Sequence, residues 1–160
     1  MNREDSRDAF NRENARILQA IQRRTPAELE KKILVPPQRG LEDSSRYWSA
    51  HMALEHVMIV GNGIADLVIQ LSNGKQPSVL VDTATVKPHG STSSDTVIAT
   101  FDRFTKDFLP ALEKKIGDLD SPLKHKHPWF GPMTAAQWFW LLGTHQRIHR
   151  VQIQEILKRV

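Results

Sequence analysis

The chain of 160 residues contains no cysteine. That absence excludes a disulfide scaffold, a thiolate zinc ribbon, an iron–sulfur cluster and a cysteine nucleophile, and it leaves any bound metal to His and carboxylate ligands. Charge of one sign is not gathered anywhere: 22 Lys and Arg stand against 18 Asp and Glu. The basic pairs Arg23-Arg24, Lys31-Lys32, Lys114-Lys115 and Lys158-Arg159 are scattered, as on a solvated surface, so no nucleic-acid partner is expected. No window carries the uninterrupted apolar run of a membrane span, and the N-terminus, Met-Asn-Arg-Glu-Asp-Ser-Arg-Asp, lacks the apolar core of a signal peptide. The expectation is a cytoplasmic protein without a membrane partner. Phosphate-cradling Gly loops and Ser nucleophile elbows are also missing. What is present is one domain's length of chain, residues 1–160, enough to bury a core without staples, and seven histidines.

Proline and glycine cluster at a few points and divide the chain into helical segments. Residues 7–24 carry Phe10, Ile17, Leu18 and Ile21 at helical spacing and predict an amphipathic helix. Thr25 and Pro26 make an N-cap and first-turn pair for a short helix through Leu34, ended by Val35-Pro36-Pro37. A second long helix is predicted from Asp43-Ser44 to about Leu71. Its apolar residues, Trp48, Leu54, Val57, Ile64 and Val68 among them, cover so much of its circumference that it must be largely buried. Gly61 and Gly63 inside it signal either close backbone packing or a bend. The stretch from Ser72 to Ser93 is long for a plain connection and reads as a crossover or a site-covering loop, with Val79-Leu80-Val81 as an extended piece lacking a partner strand. A third helix opens at Ser93-Ser94-Asp95 and keeps its stripe, from Val97 through Phe101, Phe104, Phe108 and Leu112 to Leu119, in phase across Pro110, which predicts a kink rather than an end. Residues 118–132 form a loop, and Thr134 caps a last helix from Ala135 to about Arg159. Long helices without paired strands, one connection being a crossover, predict an all-α four-helix bundle.

The histidines of the last helix are the informative ones. Trp138, Leu141, His145, His149, Gln152 and Ile156 follow steps of three and four, which puts both imidazoles on the stripe facing the core. Histidines four residues apart share one helix face and can bind one ion, and buried without partners they would cost about 1–3 kcal/mol each. A third ligand would come from the second helix, where His51 and His56 lie about 140° apart and cannot share a site. The apolar surroundings of His56, Met52, Ile59, Val60 and Gly63, favour it; His51, with Glu55 and Trp48 nearby, is then a surface or supporting residue. Gly63 could leave room for a ligand beside an ion. The spacing is equally compatible with histidines that hydrogen-bond one another without metal. His89, His125 and His127 are expected at the surface or the rim of a site, and Trp129 and Phe130 at a pocket mouth.

These segments resemble the DinB/YfiT-like family. The resemblance rests on a Trp-led second helix, Trp48-Ser49 through Leu54-Glu55-His56-Val57, and on the last helix from Trp140 through His145-Gln146-Arg147-Ile148-His149 to Gln152. The run His127-Pro128-Trp129-Phe130-Gly131-Pro132-Met133-Thr134 is similar to the segment preceding the last helix in one branch of that family. The resemblance implies an up-down-down-up four-helix bundle with long crossover connections, commonly a homodimer. It also implies a divalent ion, zinc, nickel or iron, on His56, His145 and His149, with Gln152 orienting a ligand. Ile148 departs from the family, many of whose members carry His there.

A three-His ion with an open position acts as a Lewis acid or lowers the pKa of a bound water or thiol. The expected function is therefore a metal-dependent reaction on a small molecule: transfer or isomerisation using a low-molecular-weight thiol, as among relatives, or hydrolysis. With no Cys in the chain, sulfur would have to arrive with the substrate. Asp66 and Asp102 are candidate bases only because they lie on pocket-forming helices. The competing class is a non-catalytic binding or stress-interaction module in which the metal is structural or absent.

Overall fold

A computed structural model describes residues 3–160. Helices α1 (Arg3–Ile21), α3 (Ala50–Ser72), α4 (Val97–Glu113) and α5 (Ala135–Leu157) form a four-helix bundle, and α2 (Pro26–Glu30) is a short helix packed on α3. Both α1 and α3 lie against α5, while α4 contacts α1 and α3. The side chains explain this order. Phe10, Ile17 and Ile21 of α1, Phe101 and Leu112 of α4, and Trp138, Phe139 and Ile153 of α5 are all nearly inaccessible, each large side chain contributing about 1.5–3 kcal/mol by leaving water.

The core divides into two apolar clusters along the bundle. One gathers Phe10, Val68, Phe108 and Trp138, the other Ile17, Leu54, Phe101 and Ile153. Buried polar residues lie between the clusters on α1, Glu13 and Asn14, and on α5, Gln146, His149 and Gln152, while on α3 Glu55 and His56 fall among members of the second cluster, Leu54 and Val57. The buried histidines of α3 and α5 therefore sit at the edge of the second cluster, where it meets the polar turns of α5.

Several boundaries differ from the sequence expectation. Two antiparallel strand pairs occur in a chain expected to have none: β1 (Ile33–Leu34) with β2 (Tyr47–Trp48), and β3 (Lys124–His127) with β4 (Gly131–Thr134). They are two and four residues long, too short to show an alternating pattern. Leu34 is consequently not helical, and α3 starts at Ala50 rather than near Asp43. Ser49 caps it by accepting the Met52 N–H at 3.1 Å, and residues Asp43–Ser45 form a separate 3-10 turn. Helix α4 keeps Pro110 inside but ends at Glu113, so Ile116 and Leu119 lie in the following loop. Residues 79–81 form no strand and belong to the connection between α3 and α4, with a bend at Val79. Among the described residues, α3 alone has the length and mean hydropathy of a membrane span, although its apolar run is interrupted by polar residues such as Glu55 and His56. Half of its apolar window is buried inside the bundle, as for a core helix.

Gly143 lets α1 approach α5: a Cβ there would stand 2.9 Å from the Ala9 Cβ and 3.1 Å from the Phe10 nitrogen. Gly143→Ala is therefore expected to destabilise the protein by about 1–2 kcal/mol, overpacking outweighing the helix propensity gained. Urea unfolding measures this, and an unchanged or raised midpoint would contradict it.

Candidate metal centre

The α5 register puts His145 and His149 on successive turns of one face, and α3 brings His56 opposite them. The ring centroids lie 5.1 Å (His56–His145), 4.6 Å (His56–His149) and 4.5 Å (His145–His149) apart. One nitrogen from each imidazole falls within 4.8 Å of the other two. The Nε2 atoms of His56 and His145 are 3.2 Å apart, close to the roughly 3.4 Å expected of two imidazole nitrogens on one tetrahedral ion.

Hydrogen bonds behind the rings determine which nitrogens face inward. Nδ1 of His56 lies 2.7 Å from the Val86 carbonyl, an acceptor only, so it carries the proton and leaves Nε2 with a lone pair. His149 reaches the same state by a relay. Gln152 donates its amide to the Ser45 carbonyl at 2.7 Å, which turns Oε1 toward His149 to accept Nδ1–H, also at 2.7 Å. Such support behind a ligand nitrogen fixes tautomer and ring orientation. Trp48 completes the packing, edge-on to His56 at 5.0 Å and stacked on His149 at 6.2 Å.

Burial keeps the three rings neutral. It lowers the His56 pKa below the usual imidazole value, lowers that of His145 well below it with help from His149 and His56, and pushes His149 down to about 3. Neutral imidazoles are the state that a cation requires, and His56 and His149 already turn an unprotonated nitrogen inward, while His145 Nε2 lies within hydrogen-bond distance of His56 Nε2.

The cluster forms part of the wall of a cavity of about 350 Å³, with Val60, Ile64, Leu67, Leu141 and Trp129 around it. Gly63 borders this space with nothing within 4 Å of a hypothetical Cβ, whereas Gly61 serves close packing, its Cβ position lying 2.9 Å from the Phe104 ring. The two glycines thus have separate roles. Trp129 lines the mouth, 55% exposed. Asp66 is on the cavity wall, but Asp102 is not and instead pairs with Lys106 at 2.6 Å, which removes it as a candidate base.

His51 stands outside the cluster, its Nε2 hydrogen-bonded to the Thr92 carbonyl at 2.6 Å. His125, expected at the surface or rim, is buried on β3, because β-pairing turns it inward toward Trp138. His89 is largely exposed, and His127 borders the cavity.

Glu55 was not singled out by sequence reasoning. Its buried carboxylate accepts the N–H groups of Gly90 and Ser91 and the Ser91 hydroxyl, fastening the α3–α4 connection onto α3. Burial raises its pKa, but the Ser91 and Gly90 hydrogen bonds and nearby His89 more than offset this and leave it lowered. A carboxylate directly before a core histidine on an apolar helix was the available signal. Since the same connection brings Val86 to His56, Glu55→Ala is expected to speed amide exchange at Gly90 and Ser91 by at least about tenfold. Unchanged protection in hydrogen-exchange mass spectrometry would refute the clamp.

The sequence model of the DinB superfamily matches residues 48–153, a span that contains all three clustered histidines. No curated protein matches the chain. Among solved structures, TT2238, described as a four-helix bundle protein, is similar with a TM-score of 0.64 and 20% identity, over 96% of this chain and 98% of that one. At that identity the likeness speaks for the fold.

Proposed function

Because the chain belongs to the DinB superfamily, we propose that it is a metal-dependent enzyme acting on a small molecule, with His56, His145 and His149 as the ligands of a divalent ion. The observation that carries this reading is the convergence of three neutral imidazoles at the wall of an apolar cavity, with the outer nitrogens of His56 and His149 held by Val86 and Gln152. Among the described residues no carboxylate joins the group, so three protein ligands would leave a position open toward the cavity. When bound, the ion would supply Lewis acidity and lower the pKa of a coordinated thiol or water.

The protein's own residues do the rest. Trp48 packs against His56 and His149, the Val86 carbonyl and Gln152 hold the orientation of these two rings, and Gly63 leaves space on the cavity wall. Transfer or isomerisation with a low-molecular-weight thiol is the reaction favoured, because the chain contains no cysteine of its own and the family resemblance implies such thiols. Hydrolysis, with Asp66 as the base on the cavity wall, is the alternative chemistry.

The test is elemental analysis of untagged protein, expected to give about one divalent ion per chain, followed by cobalt substitution and titration with low-molecular-weight thiols. A change in the cobalt visible spectrum is expected. No response to any thiol would favour hydrolysis, and no metal uptake would reject the enzyme reading.

A further inference from the structure

His127 ends β3 at the tip of the β3–β4 hairpin, and its ring is fixed there from both sides. Phe130 lies 4.7 Å away centroid to centroid, Trp138 5.2 Å and Trp129 5.9 Å. Its Nδ1 accepts the backbone N–H groups of Trp129 at 3.1 Å and Phe130 at 3.3 Å. A nitrogen that accepts two N–H groups holds no proton, so the neutral ring carries its hydrogen on Nε2. That donor makes no hydrogen bond among the described residues, yet the residue is half-buried and lines the same cavity as His145 and His149. A half-buried donor without a partner, on the wall of a cavity, is a place for a ligand's acceptor.

The remaining walls restrict what carries that acceptor. Trp129 and Phe130, 55% and 56% exposed, hold large aromatic faces at the opening. Lys87 is not available to an anion, because its ammonium bonds the Ser44 hydroxyl at 2.6 Å and faces Glu42 at 3.7 Å. The carboxylates offer little to a cation: Glu42 is occupied by Lys87, Asp82 caps its own turn through the Ala84 N–H, and Asp66 is open to screening solvent.

We propose that the cavity binds a neutral aromatic compound bearing a carbonyl, the carbonyl oxygen accepting Nε2–H of His127 and the ring lying against Trp129 and Phe130. This rests on the reading of the cavity as the substrate side of the three-imidazole site, and it names the class of molecule presented there.

The probe is the fluorescent aromatic ketone prodan, compared with its analogue in which the ketone is reduced to a methylene, both titrated against zinc-treated protein. Wild type is expected to bind the ketone saturably with blue-shifted emission. His127→Asn keeps an oxygen where Nδ1 stood, so the turn retains its acceptor, but it lacks the outward donor. It is expected to bind the ketone about tenfold more weakly while binding the analogue as wild type does. His127→Gln, which places an amide donor near the Nε2 position, is expected to recover most of the lost affinity. Absence of saturable binding by wild type, unchanged ketone affinity in His127→Asn, or equal weakening of both probes would overturn the proposal. Elemental analysis of the same preparations separates the two readings: missing metal with selective ketone binding counts against the metal centre alone, and full metal without selective binding counts against this proposal alone.

Discussion

Untagged protein carrying His149→Ala is expected to retain no more than about a tenth of the wild-type divalent metal, with His145→Ala behaving in the same way. Either change leaves two imidazoles, and no carboxylate among the described residues stands ready to replace the lost nitrogen. Gln152→Leu tests the relay behind the ligand. It keeps all three imidazoles but removes the acceptor of His149 Nδ1–H and the donor to the Ser45 carbonyl, so metal affinity is expected to fall about 10–100-fold. His51→Ala, which loses only a bond to the Thr92 carbonyl, is expected to keep its metal. Circular dichroism checks that each variant is folded. Full metal occupancy in both His145→Ala and His149→Ala would overturn the ligand assignment, and unchanged affinity in Gln152→Leu would remove the relay.

The three histidines were legible in the sequence because helical periodicity is a property of side chains. The stripe from Trp138 to Ile156 had to face the core, and the apolar neighbours of His56 separated it from His51. What holds the imidazoles in orientation was not legible. Two supports are backbone carbonyls, of Val86 and Ser45, and any residue type supplies a carbonyl; only the path of the chain decides which one arrives. The start of α3 failed for a related reason: Asp43-Ser44 read as its opening, but these residues form a separate 3-10 turn, and the following Tyr47-Trp48 pairs with Ile33-Leu34 earlier in the chain. Residues Lys124–His127, Lys-His-Lys-His, have no apolar alternation, so nothing marked His125 for burial and His127 for the cavity. The carboxylates divide by phase, Asp66 facing the cavity and Asp102 facing Lys106, and membership of a helix alone did not separate them.

Glu13→Ala is expected to cost about 3–5 kcal/mol of unfolding free energy, a large share of the 5–15 kcal/mol typical of a domain. The Glu13 side chain is 4% exposed between α1 and α5, where it accepts from Arg150 Nε, itself 14% exposed, and pairs with Arg12 and Arg16 at 3.4 Å. Removing the carboxylate would leave the Arg150 guanidinium in this seam with only Gln154, at 2.7 Å, as a hydrogen-bond partner among the described residues. The ion pair also makes stability depend on pH, with a definite sign. Burial raises the Glu13 pKa, but the hydrogen bond and charge of Arg150, with Arg12 and Arg16, outweigh it and leave the value below the ordinary 4.5. The folded state therefore binds this proton less readily than the unfolded chain. Its contribution is fully present above about pH 4.5 and is lost as pH falls through the lowered folded value. Glu13→Gln has no such proton to bind, so its deficit relative to wild type is expected to be constant from pH 7 to about pH 5 and to shrink below that. Urea unfolding at a series of pH values measures both curves. Curves that stay parallel down to pH 3 would show that Glu13 is not held ionised by the α1–α5 arginines.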